Sequence, residues 1–198
     1  MSIKPNNEHI QDLLQKAEEY YQIGNLEMSS NYYKKVLKTS PENIETIINL
    51  THNLNELGKS SETVKIIEKI YTKYHNQDDM LTVNYSFGLI EKGEIKEAKQ
   101  ILLKETKNSS LNYLIYNNLG WCEYLLKNYQ NAINAYDKSI ELEKNNPLAF
   151  SNRGVLRYFI FNEDDGINDL IIAENLGDTD AKEAINSIKK LNNDRQHQ

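Results

Sequence analysis

The chain has 198 residues, 39% of them hydrophobic, with a mean hydropathy of -0.69; this is lean for a compact globule of that length and suits an elongated architecture better. With 23 Lys and Arg against 29 Asp and Glu, the net charge of -6 offers no attraction to phosphate backbones or anionic membranes, and no basic stripe overrides that average. Neither nucleic acid nor a membrane is expected as a partner. The opening MSIKPNNEHI has no apolar run of signal-peptide type, no segment approaches the roughly 18 apolar residues of a membrane span, and the chain reads as soluble and cytoplasmic. The lone cysteine, Cys122, excludes an internal disulfide framework and a cysteine-based metal cage, and is expected to be a buried, inert thiol.

In chain order, residues 1–9 read as a flexible N-terminus. From residue 10 onward apolar residues recur at helical spacing, and three prolines and eight glycines leave room for helix almost throughout and for no credible strand. The pattern repeats. Gly24 aligns with Gly58, Gly93 with Lys127, Ala98 with Ala132 and Gly120 with Gly154 at a spacing of 34, with a step of 35 between Gly58 and Gly93. This register divides the chain into repeats 10–43, 44–77, 79–112, 113–146 and 147–180 with Asp78 inserted, then a sixth unpaired helix over 181–193 and a disordered tail over 194–198. Ser40-Pro41 and Asn146-Pro147 read as an N-cap followed by proline in the first helical position, and Asp180 with Glu183 reads as a capping box opening the last helix.

The 34-residue period and its residues resemble the tetratricopeptide repeat family. In the fourth repeat Tyr116 stands in the usual Trp place, Leu119-Gly120 form the Leu-Gly pair, and Ala132 and Tyr136 form the A-x3-F element; the first repeat supplies Ala17, Tyr20, Gly24, Tyr33 and Pro41. Glu123, Thr51 and Ser86 depart from the pattern. The resemblance implies an all-α, right-handed α-solenoid of antiparallel helix pairs, in which small residues such as Ala17, Ala98, Gly120, Ala132 and Gly154 let paired helices approach and aromatics fill the space beside them. It also implies that the far side of each first helix lines a concave groove for peptides or extended protein segments. Related peptide-sensing regulators carry an effector domain, for which units starting at residue 10 leave no room.

At about 100° per residue, Tyr116, Leu119, Gly120 and Glu123 share one face of their helix, and Asn118 and Trp121 lie roughly opposite. The column containing Asn118 reads Gln15, Asn49, Asn84, Asn118, Asn152 and Asn186. Asn is a mediocre helix former, and its amide can donate to a carbonyl and accept from an N–H together, so the column resembles an asparagine ladder holding a ligand's main chain. Alternatively, each Asn bonds to the neighbouring helix and staples the stack.

Other positions on this face are polar and acidic towards the N-terminus, with Glu18, Glu45, His52 and Glu91, and apolar towards the C-terminus, with Phe87, Leu114, Trp121, Tyr124, Leu125, Val155, Tyr158 and Phe159. Each covered aromatic would contribute about 1.5–3 kcal/mol, so the expected binding residues are Asn49, Asn84, Asn118, Asn152, Phe87, Trp121, Tyr124 and Tyr158, with packing between first helices as the competing role for the apolar ones. No Lys or Arg occupies the face. Leu14, Glu18, Asn49, Met80 and Asn84 stand where some co-chaperone members carry a carboxylate clamp, and of these only Asn49 fits it, so an acidic chaperone tail is not the expected ligand. A protein or peptide segment that is apolar, and basic at one end, fits better.

His9, His52, His75 and His197 make no metal-ligand spacing, no nucleophile arrangement or phosphate loop is recognisable, and neither a cofactor nor catalysis is expected. Arg153 and Arg157 read as ion-pair partners of Asp169 and Glu123. The expected function is a non-enzymatic adaptor or receptor; the alternative is an assembly scaffold using the apolar face.

Overall fold

The computed structural model describes residues 7–75, 78–106, 112–161 and 164–196, and every regular element among them is helical. The elements are α1 (Asn7–Gln22), α2 (Leu26–Thr39), α3 (Ile44–Glu56), α4 (Ser60–Tyr74), α5 (Asp79–Glu91), α6 (Ile95–Glu105), α7 (Asn112–Leu125), α8 (Tyr129–Leu142), α9 (Pro147–Leu156), a π-helical turn at Arg157–Phe161, α10 (Asp165–Asn175) and α11 (Thr179–Gln196). The all-α fold class is as expected. Of the termini expected to lack structure, residues 1–6 and 197–198 lie outside the described residues. Residues 7–9 and 194–196 are helical instead, with no Gly or Pro among them to stop the helix.

The residues of one 34-spaced column turn the hairpins. Gly24, Gly58 and Gly93 have φ of +74°, +66° and +88°, and Lys127 has φ of +62°. In each case the next amide bonds to the carbonyl five residues back: Asn25 to Tyr20 at 2.9 Å, Lys59 to Leu54 at 2.7 Å, Glu94 to Leu89 at 2.8 Å and Asn128 to Glu123 at 2.8 Å. That bond closes the first helix by a left-handed residue and turns the chain back. The fifth repeat has Phe161 in this column. An aromatic residue is disfavoured in the left-handed region, and here the helix widens into the π-helical turn instead.

Contacts divide the chain into two compact units, residues 1–98 and 99–198. In the first, α2 packs on α1 and α3, and α5 on α3 and α4. Its core includes Ala17 with Tyr33, Leu50 and Leu54, and Ile47 and Ile48 with Tyr74 and Leu81. In the second, α7 through α11 pack successively, around Ala132, Ile133, Tyr136 and Leu156 and around Phe150, Leu170, Ala173, Ile185 and Ile188. The small residues act as the sequence implies: a Cβ on Gly120 would meet the Tyr136 ring at 2.5 Å, and one on Gly154 would meet the Gly166 carbonyl oxygen at 2.7 Å.

Helix caps fall partly elsewhere than expected. Ser40 closes α2 through its N–H to the Val36 carbonyl at 2.8 Å, Pro41 lies in the turn, and Asn43 caps α3 by accepting from the Thr46 amide at 2.9 Å. Pro147 does open α9, yet the Asn146 amide donates to Ser139 Oγ at 3.0 Å rather than capping. At the last helix Asp178, not Asp180, is the cap, accepting from the amides of Asp180 at 2.9 Å and Ala181 at 3.0 Å. It follows Gly177 at φ +98°, which turns the chain early enough for α11 to begin at Thr179. The inserted Asp78 caps α5, accepting from the Met80 amide at 2.9 Å.

Candidate functional site

In the N-terminal unit, α1 sends Leu13 and Ala17 inward and leaves Gln11, Gln15 and Glu18 exposed, while α3 buries Ile47, Leu50 and Leu54 and leaves Glu45 exposed and Asn49 and His52 half-buried. These first helices line an open cavity of about 430 Å³ with Gln11, Gln15, Glu18, Glu45, Asn49 and Tyr33 among its walls. A second cavity of about 130 Å³ shares Glu18, Tyr33 and Asn49 with it and adds Tyr21, His52 and Asn53. The Tyr33 phenol is pushed above its ordinary pKa, first by burial and next by the negative charge of Glu18, while hydrogen bonds with the Ser29 and Asn49 side chains pull it down. Tyr21 Oη lies 3.4 Å from His52 Nε2. No Lys or Arg lines either cavity.

The asparagine column divides. Asn84 is only 4% exposed, and its Nδ2 donates to the Ile48 carbonyl at 3.0 Å and to Thr51 Oγ1 at 3.1 Å, tying α5 to α3. Asn55 answers from α3, its Nδ2 donating to the Asn84 carbonyl at 3.1 Å. Thr51, where the family pattern has a smaller residue, is accommodated because its hydroxyl also bonds back to the Ile47 and Ile48 carbonyls at 2.8 and 3.0 Å. Asn118 is 6% exposed. Asn49 and Asn152 remain half-buried, and Asn152 Nδ2 donates to Asn117 Oδ1 at 3.1 Å, tying α9 to α7. The stapling arrangement is thus what Asn84 and Asn152 adopt.

Of the apolar candidates, Phe87 lies half-buried on α5 in the N-terminal unit. In the C-terminal unit Trp121 and Tyr158 are half-buried and Tyr124 is 38% exposed. Tyr124 stacks obliquely against Tyr129 at 6.0 Å, and Tyr158 meets Phe159 edge-on at 5.1 Å. Phe159, Ile160 and Phe161 of the π-helical turn are all exposed. Sequence reasoning missed Tyr33 and Asn53 as cavity walls. Tyr33 reads from the sequence as one of the aromatics filling a helix pair, and Asn53, one helical turn after Asn49, carries the only signal available.

The charged candidates are accounted for locally. Arg153 grips Asp169 through Nε at 2.8 Å and Nη2 at 2.7 Å, and reaches Asp137 at 2.6 Å; Arg157 reaches Asp169 at 3.2 Å. Asp169 is the expected partner, but Glu123 is not, since Glu123 is engaged by Lys99 at 2.8 Å and Asn128 at 2.8 Å. Cys122 is buried and free, and burial pushes its thiol up to about 12. Among the described residues no cluster of three His, Cys, Asp or Glu side chains could hold a metal, and no helix is long and apolar enough to cross a membrane.

Tetratricopeptide repeat family models match residues 13–43 and 113–146, the first and fourth repeats of the register above. A TPR repeat-containing protein of Methanocaldococcus jannaschii is 23% identical over 168 residues, covering 77% of this chain but only 30% of its own length. In structure the chain is similar to a thermophilic TPR protein of Thermus thermophilus, at 16% identity, a TM-score of 0.78 and coverage of 90% of this chain and 97% of the other. It is similar also to PilW, a type IV pilus biogenesis factor, at 15% identity, a TM-score of 0.71 and coverage of 86% and 79%, and to Cut9–Hcn1 of the APC/C, at 17% identity, a TM-score of 0.77 and coverage of 89% and 35%. At such identities the likeness speaks for the fold. With two repeats matched by family models, its 34-residue register and its left-handed hairpin turns, the chain carries tetratricopeptide repeats and has the tetratricopeptide repeat fold.

Proposed function

We propose that the chain is a non-enzymatic adaptor whose first-helix faces hold an extended segment of a partner protein. The observation that carries this reading is the open cavity between α1 and α3, where Glu18 and Glu45 are exposed and Asn49 is only half-buried. Extended segments suit such a surface because their main chain offers donors and acceptors at regular steps. Within the asparagine column, Asn49 contacts the ligand while Asn84 and Asn152 hold first helices in register. Trp121, Tyr124 and Tyr158 in the C-terminal unit and Phe87 in the N-terminal unit supply apolar contact, each covered aromatic contributing about 1.5–3 kcal/mol against about 0.5–1.5 for an amide hydrogen bond.

Site-specific photo-crosslinkers test this directly. One is placed at position 49, one at 121, and one at Lys69, an exposed second-helix position, and the cross-linked partner is identified from each. The reading requires a partner protein to be captured from 49 and from 121, each judged within its own unit, and little from 69; capture from 69 alone would overturn it. A scaffold role is favoured by a separate observation, the exposed run Phe159-Ile160-Phe161. Light scattering of the purified chain at high concentration decides that case, self-association lost in Phe159→Ser supporting it and a monomer removing it.

A further inference from the structure

The first repeat leaves open a face that the later repeats close. The column containing Glu19 continues as Asn53, Gly88, Cys122 and Leu156, all of them buried, whereas Glu19 is exposed. What covers this side of a first helix in the later repeats is the second helix before it, which brings a side chain matched to the one it meets. Ser29 meets Asn53 at 2.9 Å, Lys99 meets Glu123 at 2.8 Å and Asp137 meets Arg153 at 2.6 Å. Helix α1 is the first element of the described residues and has no such neighbour before it. On α1 and α2 the open face is a cavity of about 300 Å³ lined by Lys16, Glu19, Tyr20, Ile23 and Tyr32. Tyr20 and Tyr32 stack at 5.5 Å and 15° from parallel. Ile23, at 74%, is the most exposed large apolar side chain among the described residues.

The charges on this face are self-complementary. Lys16 pairs with Asp12 at 2.9 Å, and Lys35, 4.2 Å over the Tyr32 ring, offsets Glu19 in number. In a chain of net charge -6, that local balance keeps repulsion out of the contact itself. Lys16 and Glu19 lie one turn apart on the same side of α1, so two α1 helices packed antiparallel set Lys16 of each against Glu19 of the other. A two-fold axis needs a patch that complements itself in this way. We infer that the α1–α2 face is a dimerisation surface, on which a second copy of the chain stands where the preceding second helix stands in the later repeats. Ile23 and the stacked tyrosines supply the apolar contact, and the Lys16–Glu19 pairs set the orientation. This goes beyond the segment-binding reading, since the cavity shares no lining residue with the one that carries that reading.

Sedimentation velocity of the full chain over a wide concentration range tests the inference through charge reversal. The wild type is expected to dimerise, and Lys16→Glu and Glu19→Lys are each expected to weaken the dimer at least about tenfold, because the symmetry turns two attractive pairs into two repulsive ones. Mixed in equal amounts, these two variants are expected to pair with each other more tightly than either pairs with itself. The double variant Lys16→Glu/Glu19→Lys restores both pairs in the reversed sense and is expected to recover the dimer. Circular dichroism melts check that each variant is folded, and a folding defect could not produce rescue on mixing. Phe159→Ser is expected to leave the dimer intact. A wild type that stays monomeric, a dimer indifferent to both reversals, absence of rescue on mixing, or a dimer lost in Phe159→Ser would each overturn the inference; the first would leave this face to a helix of a different protein.

Discussion

Asn84→Ala asks whether the asparagine column holds the helices or a ligand. The side chain is 4% exposed and donates two bonds from α5 to α3, at 3.0 and 3.1 Å. At about 0.5–1.5 kcal/mol net for each, their loss costs about 1–3 kcal/mol, and the void left by the amide adds to it. Two effects work in the other direction: alanine is the better helix former by about 0.5 kcal/mol, and the Ile48 carbonyl keeps the Thr51 hydroxyl at 3.0 Å and so is not orphaned. The net expectation is about 1.5–2 kcal/mol of destabilisation, which for a chain of this size lowers the melting midpoint by about 3–8 °C. Asn49→Ala, at a half-buried position that ties no helix to another, should cost less than about 1 kcal/mol. Asn84→Asp should cost more than Asn84→Ala, because it removes the donors and sets a carboxylate against a carbonyl. Circular dichroism melts and urea midpoints of the three variants measure the order. Asn84→Ala melting with the wild type, or Asn49→Ala melting below it, would refute the stapling argument.

Gly154→Ala should destabilise by about 2 kcal/mol although propensity alone favours alanine by about 1, because its Cβ would meet backbone, the Gly166 carbonyl oxygen at 2.7 Å; urea denaturation checks the sign. Lys127→Gly, at φ +62°, should instead raise stability by about 0.5–1 kcal/mol, the relief of a left-handed Cβ outweighing the added chain entropy, seen as a higher urea midpoint. Cys122, raised to about 12 by burial and the Glu123 charge, should carry about one thiolate in ten thousand at pH 8, so thiol reagents should label it only at the rate of unfolding; fast labelling of native protein would show it accessible. Burial, followed by the charges of Glu97 and Glu68, raises the Tyr85 phenol to about 12, and Tyr33 is raised likewise. The Tyr85 contribution is intact below about pH 10, the unfolded value, and is lost as pH rises towards about 12, at up to about 1.4 kcal/mol per pH unit, and that of Tyr33 is lost in the same direction. Urea midpoints between pH 8 and 11.5 should fall accordingly.

What the sequence determined by itself is whatever depends on local chemistry and a fixed period. Helices follow from apolar spacing, and the hairpins from Gly24, Gly58, Gly93 and Lys127, because a left-handed residue ends a helix whatever lies beyond it. The close approach at Gly120 was equally legible, since a missing Cβ beside an aromatic four residues after Ala132 has one use in a helix pair. Only the tertiary structure decided which way shared side chains are spent. A helical wheel places Asn84 opposite its own core but cannot distinguish solvent from the adjoining first helix, and its partner Ile48 is 36 residues away. Asn49 occupies the same column and is only partly buried. Arg153 had several acidic candidates within reach by sequence, and the choice of Asp137 with Asp169 over Glu123 was made where Lys99 already neutralises Glu123. The unpaired Oδ1 of Asn53 belongs to the same class: an acceptor is present in the sequence, but its lack of a donor exists only once α1, α2 and α3 have closed around it.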